Sequence, residues 1–322
     1  MLEITAKIVT FPIKQLFKIA YETKSLAETI EVRVSDGQFF GRGEAVPYRH
    51  YGETMASSLG QIDHLKANLK SELRPETIVN QLPAGSARNA LDCALWDLAT
   101  KQKSQRLWQL ASFPEPKALL SAYTLTIDLP DNLYREAKKH HDKKIIKLKL
   151  NGQANDLACL EAVRAGNPHC RLYLDANESW SKRHYLDLLA PAKELGVDLI
   201  EQPFKAGQDH LLADLPRPIP VAADESCHVS DDLEALKGLY DVVNIKLDKT
   251  GGLTAALKLA KQAKAQDFAI MVGCMVGSSL SIKPAFYLAQ LASYIDLDGP
   301  FLLAYDRSDE EFVRLKKMIN FT

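Results

Sequence analysis

The sequence predicts an α/β protein in which a smaller α+β region precedes a closed barrel of parallel strands. Three observations support this prediction. After residue 117, eight short β-rich runs alternate with amphipathic helical stretches. The residues that end these runs, most of them polar, follow one another at intervals of 22 to 26 residues, which is the length of one strand-helix unit. The chain has 322 residues, enough for one barrel-sized domain with an attachment.

The N-terminal region, residues 1–115, has a different pattern from the rest of the chain. Its predicted elements are strands at 2–10, 17–23, 29–34 and 38–45 and helices at 53–73 and 86–103. The turn-forming pair Asp36-Gly37 separates the last two strands. Residues 113–116 read FPEP, which interrupts the pattern and predicts a linker to the barrel.

The predicted barrel occupies residues 116–298, and the segment 299–322 follows it. Its eight strands are predicted at 119–126, 145–150, 171–175, 198–202, 219–224, 241–247, 268–272 and 293–297. A doubly wound open sheet is the competing architecture, but no glycine-rich dinucleotide-binding fingerprint follows the first strand. We therefore favour the barrel, in which active sites lie at the C-terminal ends of the strands.

The overall charge is balanced, with 40 Lys and Arg against 41 Asp and Glu. Nucleic-acid binding usually needs a clustered basic excess, so we expect no nucleic-acid partner. No apolar run approaches the roughly 20 residues that cross a bilayer, and no signal peptide is visible, so we expect no membrane association. The five cysteines are scattered and form no CxxC pair, which favours a reducing, cytoplasmic environment.

Three carboxylates end consecutive predicted strands. Asp175 ends RLYLD, Glu201 ends DLIE and Asp224 ends PVAAD, so the three would meet at one rim of the barrel. An acid after a strand is often a helix cap or turn residue. Three acids at equivalent positions of consecutive strands, with no cationic residue next to them in the sequence, instead need a hard divalent ion to offset their repulsion. An all-oxygen ligand set favours Mg²⁺, and the histidines lack the paired spacing of zinc sites.

Lysines occupy the predicted strands on either side of these acids. In IIKLKL, Lys147 and Lys149 are two residues apart and share one face, while the aliphatic residues between them face the helices. Lys246 ends the sixth strand in NIKLDKTGG. Asp296 and Asp298 share a face after the last strand in DLDGP, although a Gly-Pro-associated turn explains this pair equally well.

The order of lysine, three acids and lysine suits removal of a proton next to a carboxylate. A cation held by the acids would bind the substrate carboxylate and stabilise the dianionic enediolate. A lysine on each side could remove and return the proton, because a neutral amine acts as the base and an ammonium as the acid. An unperturbed lysine has a pKa of roughly 10.4, and a nearby metal ion together with a second ammonium would lower it.

The ordered set KLKL, DANESW, EQP, ADES and NIKLDKTGG resembles the metal-binding and lysine motifs of the enolase superfamily, muconate-lactonizing subgroup. Within it, the chain resembles the L-Ala-D/L-Glu epimerases, the dipeptide epimerases linked to murein-peptide recycling. The resemblance is nearly full-length because PYRHYGE (47–53) and LPAGSARNALDCALWDLA (82–99) match the cap region. It implies a modified TIM barrel, (β/α)7β, with an N-terminal α+β capping domain that the C-terminal segment 299–322 completes.

The resemblance also implies a role for each candidate residue. The implied roles are Mg²⁺ binding by Asp175, Glu201 and Asp224, acid-base catalysis by Lys149 and Lys246, and substrate binding by Thr124, Lys147, Asp296 and Asp298. Lys147 would bind the substrate carboxylate and favour the neutral form of Lys149. The two final aspartates would bind the α-ammonium of the dipeptide. Flexible capping loops near 14–27 and 47–53 would exclude water and contact the distal side chain.

The first capping loop departs from the pattern of relatives that select a distal glutamate, which can place an arginine there. Here the loop reads FKIAYETKSLAE. Lys24, or alternatively Lys18, would supply the positive charge as a point cation without the forked geometry of arginine. Cys274 follows the seventh strand with no nearby base in the sequence, which favours a buried structural thiol over a nucleophile.

Other functions remain open at this point. A lyase or cycloisomerase of the o-succinylbenzoate synthase or muconate cycloisomerase type would have no use for an ammonium site at Asp296 and Asp298. A barrel kept only as a binding module would need a lost acid or lysine, and none is lost. The sequence therefore predicts an Mg²⁺-dependent epimerase that inverts the C-terminal residue of a dipeptide, L-Ala-D/L-Glu or another. It does not decide whether the protein is a homo-oligomer.

Overall fold

A three-stranded antiparallel sheet begins the chain. The structure, a computed structural model, describes residues 2–69 and 73–320. The sheet has the order β1-β2-β3, with β1 at Glu3–Ile19, β2 at Glu22–Ser35 and β3 at Phe40–Ala45. The predicted turn joins β2 to β3: Asp36 Oδ1 accepts a hydrogen bond from the backbone N–H of Phe39 at 2.7 Å. Gly37 adopts a φ of 97°, a conformation that favours glycine.

The strands β1 and β2 stay paired almost to the tip of their hairpin. After an irregularity within β1, the antiparallel register continues from Phe17 opposite Lys24 to Ile19 opposite Glu22. The segment 14–27, expected to be a flexible loop, is therefore the end of a long hairpin. Its backbone groups are held by strand pairing, so its side chains project from an ordered ladder.

Four helices follow the sheet, and the longest packs directly on it. They are α1 at Met55–Asn68, α2 at Pro75–Ile78, α3 at Ser86–Gln102 and α4 at Leu107–Leu110. The helix α3 lies so close to β3 that a Cβ atom on Gly41 or Gly43 would collide with the α3 backbone. The predicted helix at 53–73 ends at Asn68, and residues 70–72 of that prediction lie outside the described ones.

The barrel follows a short strand, β4, at Leu119–Leu120. Its parallel strands are β5 at Tyr123–Leu125, β6 at Ile145–Lys149, β7 at Arg171–Asp175, β8 at Val197–Glu201, β9 at Val221–Ala223, β10 at Val242–Ile245, β11 at Ala269–Gly273 and β12 at Tyr294–Asp296. Its helices are α5 at Pro130–Lys139, α6 at Asp156–Gly166, α7 at Lys182–Glu194, α8 at Leu233–Leu236, α9 at Leu247–Thr250, α10 at Leu253–Ala265 and α11 at Ser279–Leu288. The strands lie side by side in chain order. A 3₁₀ turn at Asp209–Leu212 takes the place of a full helix after β8.

Apolar side chains fill one part of the barrel interior. They are Ala122, Ile145, Tyr173, Leu199, Ala222, Val242 and Met271. The alternate residues Ile146 and Leu148 point the other way and pack against the helices. Lys147 and Lys149 share the inward parity of Ile145, so the interior changes from apolar to charged toward the C-terminal ends of the strands.

The first and last barrel strands meet to close the barrel, because the backbone N–H of Ala122 donates to the carbonyl of Ile295 at 2.9 Å. The chain then continues through α12 at Gly299–Leu302, α13 at Glu310–Met318 and β13 at Ile319–Asn320. Leu303 forms a β-bridge with Ile13 of β1, whereas β13 pairs with β4. The C-terminal segment thus contacts both the capping region and the barrel.

This architecture confirms the predicted fold class, an eight-stranded parallel barrel with an N-terminal antiparallel capping domain. The domain boundaries at residues 115 and 298 stay predictions. Among the helices in residues 2–69 and 73–320, none combines the length and the apolarity that a membrane span requires.

Candidate active site

The strand register brings four of the predicted residues together at one end of the barrel. Lys149 of β6 lies opposite Asp175 of β7, which lies opposite Glu201 of β8. Asp224 follows two residues after Ala222, the partner of Glu201 in β9. All four charged side chains are buried, with exposed fractions of 8% or less. Their proximity follows from the common rim at which parallel strands end.

Lys147 lies among the acids. Its Nζ is 2.9 Å from Asp175 Oδ2, 2.7 Å from Glu201 Oε2 and 2.8 Å from Asp296 Oδ2. Burial by itself lowers the pKa of Lys147, but these carboxylates more than offset it and hold the pKa well above its ordinary value. Lys147 is therefore an ammonium that reduces the mutual repulsion of the acids.

The two predicted catalytic lysines each contact one acid. Lys149 Nζ lies 2.5 Å from Asp175 Oδ2, and Lys246 Nζ lies 2.5 Å from Asp224 Oδ2. Lys149 ends β6 and Lys246 follows β10, four positions away in the eight-stranded barrel, so the two amines approach from opposite sides. Burial lowers the pKa of Lys246, but Asp224 and Glu201 raise it above its ordinary value overall.

A further lysine, for which the sequence predicted no role, also contacts Asp224. Lys249 Nζ donates to Asp224 Oδ1 at 2.6 Å and to the backbone carbonyls of Asp224 and Asn244 at 2.5 and 2.9 Å. Its side chain is fully buried. In the sequence it is a lysine three residues after Lys246, separated by Thr250 from two glycines, and nothing in that pattern indicated its partner.

The three acids differ in their preference for a proton, although burial raises the pKa of each. At Asp175, neighbouring lysines more than offset burial and lower the pKa to about 2. Lys246 and Lys249 likewise hold the pKa of Asp224 well below its usual range. At Glu201, burial and the charge of Asp175 prevail and raise the pKa to about 7. Glu201 is thus the acid whose charge the protein compensates least.

The carboxylates at the strand ends are the predicted ligands of Mg²⁺. Within the described residues, no three acidic, histidine or cysteine side chains already have a metal-binding arrangement, since lysine ammonium groups lie between the acids. The chemistry of the set nevertheless fits a hard divalent cation, because Asp175, Glu201 and Asp224 offer only carboxylate oxygens. Glu201 Oε2 is buried with the Lys147 ammonium 2.7 Å away, and a carboxylate oxygen has a second lone pair that a metal ion could use. For these acids to bind an ion, the ammonium of Lys147 would have to move away from Asp175 and Glu201.

A cavity that is partly open to solvent lies between the cap and these strand ends. The cap lines it with Phe17, Ile19, Tyr21, Glu22, Lys24, Val46, Tyr48 and Tyr51. The barrel lines it with Lys149, Asn177, Glu225, Lys246, Cys274, Met275 and Val276. Lys24 therefore shares the cavity with both candidate catalytic lysines. Lys18, the alternative, is not among the lining residues of the described chain, and its backbone carbonyl accepts a hydrogen bond from the N–H of Ile127.

Aromatic residues of the cap close over the mouth of the cavity. Tyr21 OH donates to Glu225 Oε1 at 3.4 Å, and Tyr48 OH donates to Tyr21 OH at 3.1 Å. His50 stacks on Tyr21 with ring centroids 4.5 Å apart, and its Nε2 lies 2.6 Å from Glu178 Oε2. Sequence reasoning missed Tyr21 and Glu225, because these partners lie 204 residues apart and share no local motif.

The remaining candidates lie beside the last strand. Asp298 Oδ2 accepts a hydrogen bond from the backbone N–H of Thr124 at 2.8 Å, and burial together with Asp296 raises the pKa of Asp298 to about 7. In the described chain, neither aspartate is among the residues that line the cavity. Cys274, expected to be buried, is partly exposed and does line it. Burial raises the pKa of this thiol, which keeps it protonated and a poor nucleophile.

Two family models match the chain. The N-terminal domain of mandelate racemase and muconate lactonizing enzymes matches residues 3–111, and an enolase C-terminal domain-like model matches residues 132–320. An N-acetyl-D-glutamate racemase from Pseudoalteromonas sp. is 44% identical over 280 residues, which cover 86% of this chain and 88% of that protein. The L-Ala-D/L-Glu epimerase of Escherichia coli strain K12 is 41% identical over 298 residues, which cover 92% of each chain.

Solved structures are similar over nearly the whole chain. An enolase family member from Agrobacterium tumefaciens, with homology to dipeptide epimerases and with bound sodium and L-Ala-L-Glu, has a TM-score of 0.92 at 40% identity and covers 95% of this chain and 94% of its own. The dipeptide epimerase from Methylococcus capsulatus, complexed with Mg and L-Arg-D-Lys, has a TM-score of 0.86 at 31% identity, with coverages of 95% and 92%. These relatives confirm the prediction of a racemase or epimerase. The chain belongs to the enolase superfamily, with both domains of the mandelate racemase and muconate-lactonizing group.

Proposed function

We propose that the protein epimerises the C-terminal residue of a dipeptide, with L-Ala-D/L-Glu from murein peptide as substrate and Mg²⁺ as cofactor. The observation that carries the proposal is the pair Lys149 and Lys246 on opposite sides of one cavity. An amine on each face of the substrate α carbon permits 1,1-proton transfer in both directions. The similarity to epimerases of L-Ala-D/L-Glu supports the same reaction. We place the reaction in the cytoplasm, where the five free cysteines would stay reduced.

In this proposal, the three acids Asp175, Glu201 and Asp224 hold Mg²⁺ at the strand ends. When bound, the ion supplies positive charge that stabilises the enediolate formed from the substrate carboxylate. Lys147 adds a second positive charge beside the same acids and binds the substrate carboxylate. The aromatic side chains at the cavity mouth limit the access of water and strengthen these electrostatic interactions.

Proton transfer requires the two catalytic lysines to be in opposite protonation states. In one direction, neutral Lys149 removes the α proton, and the Lys246 ammonium delivers a proton to the opposite face. In the other direction the roles are exchanged. Asp224 and Glu201 favour the charged form of Lys246, as the direction of its pKa shift shows. Lys246 is therefore prepared to donate before substrate binds.

Contacts at the two ends of the substrate would select a dipeptide. Lys24 lines the cavity and would neutralise the distal carboxylate of glutamate. Asp296 and Asp298 would bind the α-ammonium at the other end through charge-assisted hydrogen bonds. The backbone N–H of Thr124 donates a hydrogen bond to Asp298 and would orient the Asp298 carboxylate.

Racemisation of an N-acyl glutamate is the second candidate function, which the 44% identity to an N-acetyl-D-glutamate racemase favours. Both substrates contain a glutamate whose nitrogen is acylated, and only the dipeptide adds an ammonium group. Asp296→Asn should therefore impair turnover of L-Ala-L-Glu while sparing N-acetyl-D-glutamate. A lyase or cycloisomerase of the same superfamily would instead release an elimination or ring-closed product without returning the proton to the α carbon.

Solvent deuterium exchange tests the proposal. The protein is incubated with MgCl₂ in D₂O with L-Ala-L-Glu, L-Ala-D-Glu or N-acetyl-D-glutamate, and mass spectrometry follows incorporation at the α carbon. Wild-type protein is expected to incorporate one deuteron for each inversion, because proton removal precedes every inversion. No incorporation with any of these substrates, or with a wider dipeptide library, contradicts the proposal.

Single-lysine variants test the two-base mechanism. Lys149→Ala and Lys246→Ala should each lower the rate of epimerisation by roughly a thousandfold. Each variant keeps one base, so it should still exchange the α proton of one epimer without inverting it. Lys261→Ala, an exposed position on α10, serves as the control and should keep wild-type activity. Inversion at a normal rate in either variant would exclude the missing lysine from the reaction.

A further inference from the structure

The segment between β11 and α11 forms one wall of the cavity. Its residues Cys274, Met275 and Val276 line the cavity, and Ser278 follows as the residue that caps the N-terminus of α11. Met275 and Val276 also belong to apolar clusters that include side chains of the cap. These cap residues are Phe11, Ala27, Val46 and Tyr48. The position of this wall therefore depends on how the segment is held between the cap and the barrel.

A buried glutamate of the cap and an arginine of the C-terminal segment both hold Ser278. Glu44 Oε1 accepts a hydrogen bond from the backbone N–H of Ser278 at 2.8 Å, and Glu44 Oε2 accepts one from the Ser278 hydroxyl at 2.7 Å. Arg307 Nε donates to the same hydroxyl oxygen at 2.8 Å, and Arg307 Nη2 donates to Glu44 Oε2 at 2.7 Å. Each of the three residues thus contacts the other two, and we call this set the three-residue junction.

The residues next to the junction strengthen the same connection. Asp306 Oδ1 accepts a hydrogen bond from the backbone N–H of Ser279 at 3.0 Å. The backbone N–H of Ala304 donates to the carbonyl of Pro12 in β1 at 2.8 Å. The segment 304–307 therefore connects β1 of the cap to the first residues of α11.

Arg307 supplies the positive charge that the junction needs. Glu44 keeps only 1% of its exposure, and its ion-pair partner within residues 2–69 and 73–320 is Arg307. Arg307 Nη2 also lies 2.9 Å from Glu31 Oε2, so one guanidinium compensates two carboxylates. Without Arg307, the buried Glu44 would have to bind a proton or admit water, because an uncompensated buried charge is costly. Either event would weaken the hydrogen bonds that Glu44 accepts from Ser278.

We propose that Arg307 is a positioning residue that holds the cavity wall 274–276 in the place where the substrate contacts it. The inference rests on the proposed function and extends it to a residue outside the cavity, since Arg307 is not among the lining residues of the described chain. Arg307 acts through Ser278 and Glu44, whereas the catalytic lysines follow other strands and keep their own contacts. Substrate affinity should therefore depend on Arg307 more strongly than the chemical step does.

The kinetic constants for L-Ala-L-Glu in the presence of MgCl₂ test this role. Arg307→Met removes the charge and should raise KM about tenfold while kcat stays within about threefold, because the wall loosens and the reacting groups stay. Arg307→Lys restores a positive charge without the forked geometry, so its KM should return to within about threefold of the wild type. Arg314→Met, at an exposed position of α13, is the matched control and should keep the wild-type constants.

A thiol on the wall itself gives a second measurement, which needs no turnover. Cys274 is partly exposed, whereas the other four cysteines are buried. Its reaction with 5,5′-dithiobis(2-nitrobenzoate) is followed by absorbance. In Arg307→Met, Cys274 should react about tenfold faster than in the wild type, because a loosened wall opens more often. Adding Cys274→Ser to each protein should remove this reaction and so identify the thiol.

Ser278→Ala provides the test if Arg307→Met does not fold, because it removes the hydroxyl that Glu44 and Arg307 both contact. It should raise KM and the reactivity of Cys274 in the same direction. An unchanged KM or an unchanged Cys274 reactivity in the folded variant would overturn the inference. A wild-type protein that epimerises no substrate would contradict the proposed function, and the reactivity of Cys274 would still decide whether Arg307 holds the wall.

Discussion

Lys249 supports the candidate catalytic centre without lining its cavity. Its ammonium contacts the carboxylate of Asp224 and the backbone carbonyls of Asp224 and Asn244. In the proposed reaction Lys246 would give up its proton, and Asp224 would then lose one of the two lysine ammonium groups that contact it in the described chain. Lys249 would keep the buried carboxylate compensated through that step.

Lys249→Met removes this charge and keeps most of the side-chain volume. We expect the free energy of unfolding to fall by about 3–5 kcal/mol, because a buried carboxylate loses a partner and two carbonyls lose a donor. Urea denaturation followed by circular dichroism measures the loss. Lys261→Met, exposed on α10, is the control and should change stability by less than about 0.5 kcal/mol. Equal stability of the two variants would show that Lys249 is dispensable to the fold.

Individual site residues were predictable from sequence where a strand carried them. The alternation in IIKLKL indicated that Lys147 and Lys149 face the same way, and they do share the inward parity of Ile145. Lys249 escaped prediction because its importance comes from Asp224, 25 residues earlier in the chain. Local patterns record which face a residue takes, but only the closed barrel determines which charges become neighbours.

At the scale of elements, the helix α3 joins the cap to the segment 247–254, which contains α9 and the start of α10. Polar residues on one face of α3 bond to this segment. The contacts are Arg88 with Gly251, Asn89 with Asp248, and both Asp92 and Trp96 with Thr254. Because the segment begins directly after Lys246, the helix that packs on the cap sheet also supports one wall of the cavity.

Asp248 makes the contact between the cap and the segment after Lys246 depend on pH. Its Oδ1 accepts hydrogen bonds from Val46 N and Asn89 Nδ2, each at 2.9 Å, and burial raises its pKa to about 7. The folded state therefore binds this proton more tightly than the unfolded chain. The stabilising contribution is fully present below the unfolded pKa, near pH 4, and is lost as pH rises to about 7.

Over that range, Asp248 should lower the free energy of unfolding by roughly 2–4 kcal/mol. Asp248→Asn keeps the acceptor oxygen and removes the titration, so the variant should show a shallower decline. Urea denaturation at about pH 4.5 and about pH 7.5 measures how far the free energy of unfolding declines in the wild type and in the variant. The same slope in variant and wild type would show that Asp248 titrates normally in the folded protein.

The predicted elements agree best with the structure where short apolar runs alternate with amphipathic helical stretches. The barrel strands from residue 145 onward and α3 lie where their periods indicated, because burial on both faces demands such runs. The predicted strand at 119–126 instead divides into β4, which pairs with β13, and β5, the first strand of the barrel. The tip of the first hairpin was different. The residue pattern predicted a strand at 17–23, whereas the family resemblance implied a flexible loop at 14–27. Phe17 pairs with Lys24 in a continued ladder, which confirms the strand, and the pairing holds the backbone that a loop would leave free.

The whole molecule is nearly neutral, yet its centre concentrates alternating charges. Glu201 is the least compensated of the three acids, and burial with Asp175 raises its pKa to about 7. A divalent ion would supply the missing charge. Ion binding should therefore stabilise the entire fold, since the ligands come from three neighbouring strands that unfolding would separate.

With Mg²⁺ at 100 times its dissociation constant, the free energy of unfolding should exceed that of EDTA-treated protein by about 2.7 kcal/mol. Glu201→Gln should lose most of this gain, because it removes one ligand. Glu194→Gln, exposed at the end of α7, should retain it. Thermal unfolding with and without Mg²⁺ provides the comparison. An equal gain in both variants would place the ion elsewhere in the molecule.

The paired hairpin of β1 and β2 affects how such a protein can diverge. Glu22 and Lys24 project from a hydrogen-bonded ladder, so exchanging either side chain alters the charge at the cavity while the backbone that carries it stays in register. A disordered loop would have to be ordered anew for each substrate, at a cost in conformational entropy. The polar residues of α3 that contact the segment after Lys246 lie on another element, so such exchanges leave their contacts unchanged. An exchange at either position would therefore change the charge of the cavity wall at little cost in backbone order.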